Sequence, residues 1–365
     1  MKHYMIKLMA VLLASAAFSS AHAAIDGMKV ILVHGFQAED LNDSHRSQKA
    51  SQYGSYTNYM KHRANNVYWN NGPWKGKADA IIWWDSKERI TGGIASDIKN
   101  QFKALANNSS FRGKPLLIVT HSTGDLVVRH ALKRLGSWGI SSSDFKVAAV
   151  FDFAGAGGGT EIADIANDVA NGSGLINSAQ RAAINAFMGF TPEKGKLGVL
   201  TDLRPGNARG IDAGSSAYPR FRFVGTGWSF AGATKPFLKG MDDSVVPLHS
   251  ACMANYNGAY DSCSRNIANN GVIKTVSKAP SGIWNNYHPI LMGEKTNHGG
   301  AIGSQTGSEL ATVNSSNSIS KNRVRLSFST KTERKWWSWG RYVRWVNGGS
   351  SKNMSNVVIT ASSYD

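Results

Sequence analysis

The chain has 365 residues and a formal net charge of +17, from 41 Lys and Arg against 24 Asp and Glu. A surface this basic favours anionic partners, but none of the motifs of nucleic-acid-binding modules occurs, so we expect no nucleic acid as partner. The two cysteines exclude a disulfide-rich scaffold and provide no spacing typical of a metal site.

Residues 1–23 have the features of a secretory signal. Lys2 and Lys7 provide positive charge, Leu8–Phe18 is apolar, and Ala21–Ala23 resembles a cleavage site. No other apolar stretch approaches the ~18–20 residues that a membrane-spanning helix needs. We therefore expect the protein to be secreted or periplasmic, with Cys252 and Cys263 closing a disulfide in that oxidising compartment.

Strands alternate with helices in the first half of the remaining chain. Apolar runs predict strands at Met28–Val33, Ala80–Trp84, Pro115–Thr120 and Lys146–Phe153, and helical spacing predicts helices at Thr91–Ala106 and Leu126–Leu135. This alternation predicts an α/β fold with a mostly parallel central sheet and helices on both faces.

The pattern changes after residue 160. Glu161–Phe190 predicts two helices separated at Gly172–Gly174, a helical cap insertion at about 160–200 that follows the carboxyl end of a strand. Further along, the pattern predicts strands at Arg220–Val224 and Val272–Val276 and a final helix at Ala301–Val313.

Residues 321–365 form a basic, Trp-rich segment. Arg323–Ser329, Trp336–Val346 and Val357–Ala361 predict strands, and thus a small C-terminal β appendage. Cationic and aromatic side chains together suit an anionic surface, a polymer or a membrane. The alternative is an edge whose charges prevent association with other strands.

The segment Leu116–Arg129 predicts a strand, a sharp turn and a helix with Ser122 at the turn. A serine there exposes its Oγ, and the next backbone N–H faces the group that the serine attacks. Small residues two before and two after the serine permit the turn; here they are Thr120 and Gly124. Ser122 is therefore the predicted nucleophile.

A serine nucleophile needs a base and an acid that orients the base. We select Asp243 as the acid, with Asp242 and Asp152 as alternatives. Among the histidines after Asp243, we select His298, because glycines beside it allow close approach to Ser122. His288 and His249 are the other candidates for the base.

Two backbone N–H groups are expected to form the oxyanion hole, those of Phe36 and Thr123. An acyl pocket is expected from aromatic residues placed near the carboxyl edge of the sheet: Phe36, Trp83, Trp84, Phe153 and Trp228.

Four segments together resemble the α/β hydrolases of the bacterial secreted lipase and esterase type. They are VILVHGF (Val30–Phe36), VTHSTG (Val119–Gly124), DDSVVP (Asp242–Pro247) and NHGG (Asn297–Gly300). They follow the family's order of nucleophile, acid and histidine, and GAGGGTEIAD (Gly155–Asp164) is similar to a further stretch of such lipases. The resemblance covers roughly Met28–Val313 and implies an α/β-hydrolase domain over residues 24–320.

The chain departs from that family at two points. GAGGGTEIAD lacks the family's Pro-His, and Ser244 replaces the glycine that usually follows the acid, which leaves Asp242 open beside Asp243. Some of these lipases hold a structural calcium, but no convincing ligand set is present here, so we expect no cofactor and no metal.

The expected activity is therefore hydrolysis of carboxylic esters, as by a lipase or esterase, through a Ser-His-Asp triad and an acyl-enzyme. Acyl transfer to an alcohol or cleavage of a polyester would use the same triad. The alternative class is a non-catalytic surface-binding protein on a hydrolase scaffold, because fold does not dictate function.

Overall fold

The computed structural model describes residues 25, 27–172, 176–229, 232–255, 263, 272–273, 281–312, 317–334, 336 and 342–365. The predicted secretory signal, residues 1–23, lies outside this part of the chain. Within it, no helix combines the length and apolarity needed to cross a membrane.

Ten strands of the described residues form the main sheet. They are β1 (Lys29–Val33), β2 (Ala80–Ile82), β3 (Pro115–His121), β4 (Lys146–Phe153), β5 (Arg220–Gly225), β6 (Val272–Ile273), β7 (Tyr287–Gly293), β8 (Leu310–Thr312), β11 (Thr330–Arg334) and β12 (Tyr342–Val346). The spatial order is β11-β12-β8-β7-β5-β4-β3-β1-β2, and β6 pairs with β12. The strands from β2 to β7 in this order run parallel, and β8, β12, β11 and β6 pair antiparallel.

A second sheet has the order β13-β10-β9. Its strands are β9 (Ser318–Lys321), β10 (Val324–Ser327) and β13 (Ser362–Tyr364). The helices are α1 (Asp43–Tyr53), α2 (Tyr56–Arg63), α3 (Ala95–Asn107), α4 (Gly124–Arg134), α5 (Glu161–Ala170), α6 (Ser178–Met188), α7 (Pro205–Gly210), α8 (Leu248–Ala251) and α9 (Met354–Ala361).

Alternate residues of the central strands serve two hydrophobic cores. Ile31 and Val33 of β1 pack with apolar residues of α3, α4 and α5, whereas Val30 and Leu32 pack with residues of β10 and α9. Because successive side chains of a strand point to opposite faces, both faces of the sheet are covered. The predicted α/β architecture with a mostly parallel sheet is confirmed.

The cap insertion consists of α5 and α6, as predicted. Thr160 begins α5 because its hydroxyl accepts from the backbone N–H of Ile162, 3.3 Å away. Asn177 and Gln180 form a reciprocal capping box that fixes the start of α6.

Two element predictions were wrong. Ala301–Val313 is not a helix: a 3₁₀ turn at Gly299–Ala301 is followed by an irregular segment and strand β8. Gly307 has a φ of +85°, which helical backbone does not permit, and β8 is buried against β7. Val357–Ala361 belongs to α9, because the Asn353 side chain caps the helix at Asn356 and one apolar face is buried.

The C-terminal segment contributes to both sheets. β10 and β13, with β9, form the predicted β appendage, whereas β11 and β12 extend the main sheet. The Trp74 indole N–H donates to Ser355 Oγ over 3.0 Å, and Ser355 Oγ donates to the Ala301 carbonyl over 2.8 Å. These buried bonds attach α9 to the rest of the molecule.

The sequence patterns did not reveal α1, α2 or β7.

Candidate active site

Ser122 lies at the turn between β3 and α4 with a φ of +56°, in the left-handed region that residues other than glycine rarely adopt. Gly124 is required two residues later, because a Cβ there would lie 2.7 Å from the carbonyl oxygens of Val33 and His34. Thr120 replaces the usual first glycine and donates its hydroxyl to Asp152 Oδ1 over 2.6 Å. The turn therefore has the geometry of a nucleophile elbow.

Asp243 and His298 are joined by a hydrogen bond of 2.8 Å between Oδ2 and Nδ1. The other carboxylate oxygen of Asp243 accepts from the backbone N–H groups of Val245 and Val246, at 3.0 and 2.7 Å. The backbone N–H of His298 also donates to the Asp243 carbonyl over 3.0 Å. Since the carboxylate accepts the Nδ1 proton, Nε2 of His298 carries the lone pair and is available as a base.

The alternative acids have other partners. Asp242 Oδ1 accepts from the backbone N–H of Ser244 over 2.8 Å, and burial, together with the charge of Asp243, raises the pKa of Asp242 to about 6. Asp152 lies in a buried cluster of charges and contacts Arg220 and Arg222. Asp243 is thus the carboxylate that the structure places against the imidazole of His298.

The alternative bases lie elsewhere. His288, on β7, contacts Asn286 Oδ1 over 3.2 Å. His249 lies on α8, where burial lowers its pKa to about 4. Neither lines the cavity that holds Ser122, whereas His298 does.

The backbone N–H groups of Phe36 and Thr123 have no hydrogen-bond acceptor among the described residues. His34 fixes the Gly35–Phe36 peptide, because its Nδ1 donates to the Gly35 carbonyl over 2.7 Å and its Nε2 accepts from the Trp84 backbone N–H over 3.2 Å. Burial lowers the pKa of His34 to about 4, so the ring stays neutral in this role. A Cβ on Gly35 would lie 2.7 Å from Ser122 Cβ, so only glycine permits this approach.

Ser122 and His298 both line a cavity of about 440 Å³. Its apolar wall comes from the loop after β1, from α6 and the segment that follows it, and from the loop that carries Asp243: Phe36, Phe187, Leu200, Leu203, Val245 and Val246. The volume and the apolar wall are typical of small-molecule sites.

The predicted aromatic lining was wrong for four of its five members. Phe36 lines the cavity; Trp83, Trp84, Phe153 and Trp228 do not. Trp84 and Phe153 are fully buried and fill the core. Lys61 lies over the Trp83 ring, and Trp228 is 64% exposed with Lys235 over its ring.

Phe187, Leu200 and Leu203 were missed as lining residues. Their only sequence signal was their position in or after the predicted cap.

The expected disulfide between Cys252 and Cys263 is present. In the described part of the chain, no group of three or more His, Cys, Asp or Glu residues is placed to hold a metal ion.

No family model and no curated protein matches the chain. Solved structures similar to it include the mature lipase of Bacillus licheniformis, at 15% identity over 66% of this chain and 84% of that one, with a TM-score of 0.39. Lipase 1 of Pelosinus fermentans is 13% identical over 76% and 94% of the two chains, with a TM-score of 0.36. Phospholipase PlaB of Legionella pneumophila is 16% identical over 61% and 45%, with a TM-score of 0.36.

The fold is assigned from the topology of the chain itself. In the mostly parallel sheet, β3 leads through the strained Ser122 into α4. The next strands in the chain are added on one side of β3, and β1 and β2 lie on its other side. This topology is the α/β-hydrolase fold.

Proposed function

We propose that the protein is a serine hydrolase that cleaves carboxylic esters. The observation that carries the proposal is the 2.8 Å bond between Asp243 and His298, because the imidazole of His298 lines the same cavity as the strained Ser122. A buried carboxylate that orients an imidazole, with a serine on the wall of the same cavity, is the set of groups that makes a hydroxyl nucleophilic.

In the acylation step, Ser122 Oγ attacks the ester carbon while His298 Nε2 takes the hydroxyl proton. Asp243 stabilises the imidazolium, and the N–H groups of Phe36 and Thr123 hydrogen-bond to the oxyanion. His298 then gives its proton to the departing alkoxide, which leaves as the alcohol and forms the acyl-enzyme. In the second step, His298 takes a proton from water, the hydroxide attacks the acyl carbon, and the free acid leaves as Ser122 recovers its proton.

The cavity indicates what the acyl part resembles. The six apolar residues of its wall provide no fixed charge for a polar acyl group to contact. A hydrocarbon chain would gain about 25 cal/mol for each Å² of apolar surface removed from water. We therefore propose esters with an apolar acyl chain as the substrate class.

The proposal includes export from the cell. The predicted signal at residues 1–23 and the disulfide between Cys252 and Cys263 both suit an oxidising compartment. The exposed Trp336, at 92%, and the basic residues around it support contact of the C-terminal segment with an anionic surface.

The proposal is tested with Ser122→Ala. We expect wild-type protein to hydrolyse nitrophenyl esters and to be labelled by a fluorophosphonate probe. The variant should lose all labelling and about 10⁴-fold or more of the turnover, because the nucleophile is absent.

Ser137→Ala is the matched control, since Ser137 is exposed and lies outside the cavity. It should label and turn over like the wild type. Folded wild-type protein that neither labels nor hydrolyses any ester of the panel would contradict the proposal and favour the binding-protein alternative.

A further inference from the structure

A chain of hydrogen bonds joins the two loops that flank Ser122. Tyr68 is the last residue of a π-helical turn, Ala64–Tyr68, that follows α2. Its hydroxyl oxygen lies 2.9 Å from the backbone nitrogen of Gly35 and 2.5 Å from His121 Nδ1. The other ring nitrogen of His121, Nε2, lies 3.0 Å from the carbonyl oxygen of His298.

The partners at the two ends fix every proton in this chain. A carbonyl oxygen can only accept, so His121 Nε2 carries a proton and donates this hydrogen bond to the main-chain carbonyl of His298. Neutral His121 then has an unprotonated Nδ1, which accepts from the Tyr68 hydroxyl. The Tyr68 oxygen in turn accepts from the Gly35 N–H, and each group has the partner that it requires.

The protonation states of His121 and Tyr68 keep these donor and acceptor roles fixed. Burial, together with the nearby His298, holds the pKa of His121 well below its usual value, and burial raises the pKa of Tyr68. Both side chains are therefore neutral around pH 7. The rings of His121 and His298 have their centroids 4.7 Å apart, so a neutral His121 adds no repulsion when His298 takes a proton.

The hydrogen-bond chain ends at Gly35 and at His298, the two parts of the site that must be positioned against Ser122. Gly35 precedes Phe36, whose N–H is the proposed oxyanion donor, and His298 is the proposed base. A Cβ on Gly35 would lie 2.7 Å from the Tyr68 hydroxyl, so glycine is also what lets this hydroxyl approach the loop. The π-helical turn supports the assignment, because such turns occur frequently at functional sites.

We propose that Tyr68 and His121 are positioning residues, whose hydrogen-bond chain holds the Gly35–Phe36 loop and the His298 main chain in place around Ser122. This role rests on the proposed ester hydrolysis. Tyr68 and His121 act through Phe36 and His298 and do not themselves exchange a proton with the substrate.

The test is a double-mutant cycle on nitrophenyl ester hydrolysis. Tyr68→Phe removes the hydroxyl, and His121→Leu removes both ring nitrogens. We expect each change to lower kcat about ten- to a hundredfold, because small misplacements of reacting groups have effects of this size, and to leave KM within about threefold. The double variant should lose little more kcat than the worse single variant, because the two single variants and the double variant all break the same hydrogen-bond chain.

Rescue separates hydrogen bonding from packing. His121→Gln retains an acceptor and a donor, and we expect it to keep more of kcat than His121→Leu. The matched control is Tyr53→Phe on α1, whose hydroxyl has no hydrogen-bond partner among the described residues; it should keep the wild-type kcat.

A second measurement does not depend on activity. ¹⁵N NMR of the wild-type imidazoles should show His121 as the neutral tautomer protonated at Nε2. The opposite tautomer would overturn the proposal, and so would a wild-type kcat for Tyr68→Phe or strictly additive losses in the double variant. If wild-type protein is not labelled by the fluorophosphonate, the ester hydrolase proposal fails and the positioning role falls with it, whereas the tautomer would still report on the hydrogen-bond chain.

Discussion

Thr120 stands where the nucleophile-elbow motif has its first glycine, and the sharp turn at Ser122 is still formed. Its hydroxyl donates to Asp152, and Asp152 and Asp125 both contact Arg220 and Arg222, all four charged side chains being buried. Asp125 also donates its backbone N–H to the Ser122 carbonyl over 3.2 Å. The strained serine is thus supported by paired charges, and removal of one partner of such a buried pair typically costs about 3–5 kcal/mol.

The adjacent aspartates Asp242 and Asp243 provide a prediction at this scale. Asp243→Asn should lower kcat by about 10⁴-fold, because an amide cannot hold His298 in the required tautomer. Asp242→Asn should leave kcat within a few-fold, since Asp242 contacts Ser244 and not the imidazole. Steady-state kinetics on one nitrophenyl ester checks both variants, and equal losses would show that the two carboxylates act together.

At the scale of elements, the cap positions its second helix over the site. Phe187 of α6 stacks on Phe36, with ring centroids 6.1 Å apart and planes at 16°. α5 is attached to the core by Ile162, Ala163 and Ala166, all buried. Removal of the whole insertion would expose this core, so the contribution of the cap to specificity is better measured with a single substitution.

Phe187→Ala should enlarge the cavity at its cap side. We expect kcat/KM for long acyl esters to rise relative to short ones by several-fold, since one extra or missing methylene is worth roughly 1–3 kcal/mol in an apolar pocket. The measurement is the profile of kcat/KM against acyl-chain length. Phe190→Ala is the matched control, because Phe190 lies on the same segment but outside the cavity lining, and its profile should match that of the wild type. An unchanged profile for Phe187→Ala would show that the cap does not select the acyl chain.

At the scale of the whole molecule, we expect buried histidines to determine how stability responds to acid. Burial lowers the pKa values of His34, His249 and His288 to about 4 each. Asp97 and Asp242 act in the opposite direction, because burial raises their pKa values to about 6. The C-terminal segment shares a core with β1, since Val324, Leu326 and Val358 are buried in the cluster that contains Val30 and Leu32.

The free energy of unfolding should therefore fall between pH 6.5 and pH 4. In that interval the unfolded chain protonates His34, His249 and His288 while the folded protein does not. Each proton of difference corresponds to about 1.4 kcal/mol per pH unit. Urea unfolding at a series of pH values is the measurement. His249→Gln should flatten the dependence, whereas His62→Gln, at an exposed position, should not. A stability that rises on acidification would mean that the carboxyl groups dominate.

Much of the fold was predictable because its signals are local. Apolar runs and helical spacing indicated β1, β3, β4, α4 and the two cap helices, and the turn at Ser122 is encoded within Leu116–Arg129. The predictions failed where local preference was ambiguous. Val357–Ala361 is rich in β-branched residues yet forms part of α9, because the cap at Asn353 and burial of one face outweigh strand propensity.

By itself the sequence determined the class of fold, the serine at its strained turn and a short set of carboxylates and histidines. Only the tertiary structure decided which of them meet: Asp243 with His298, Asp152 with the buried arginines, and Tyr68 with His121. It also decided that Phe187, Leu200 and Leu203, and not the predicted tryptophans, line the cavity. The reason is that hydrophobic periodicity specifies which face of an element is buried, whereas a contact between residues 55 or 177 positions apart depends on how the loops converge at the sheet edge.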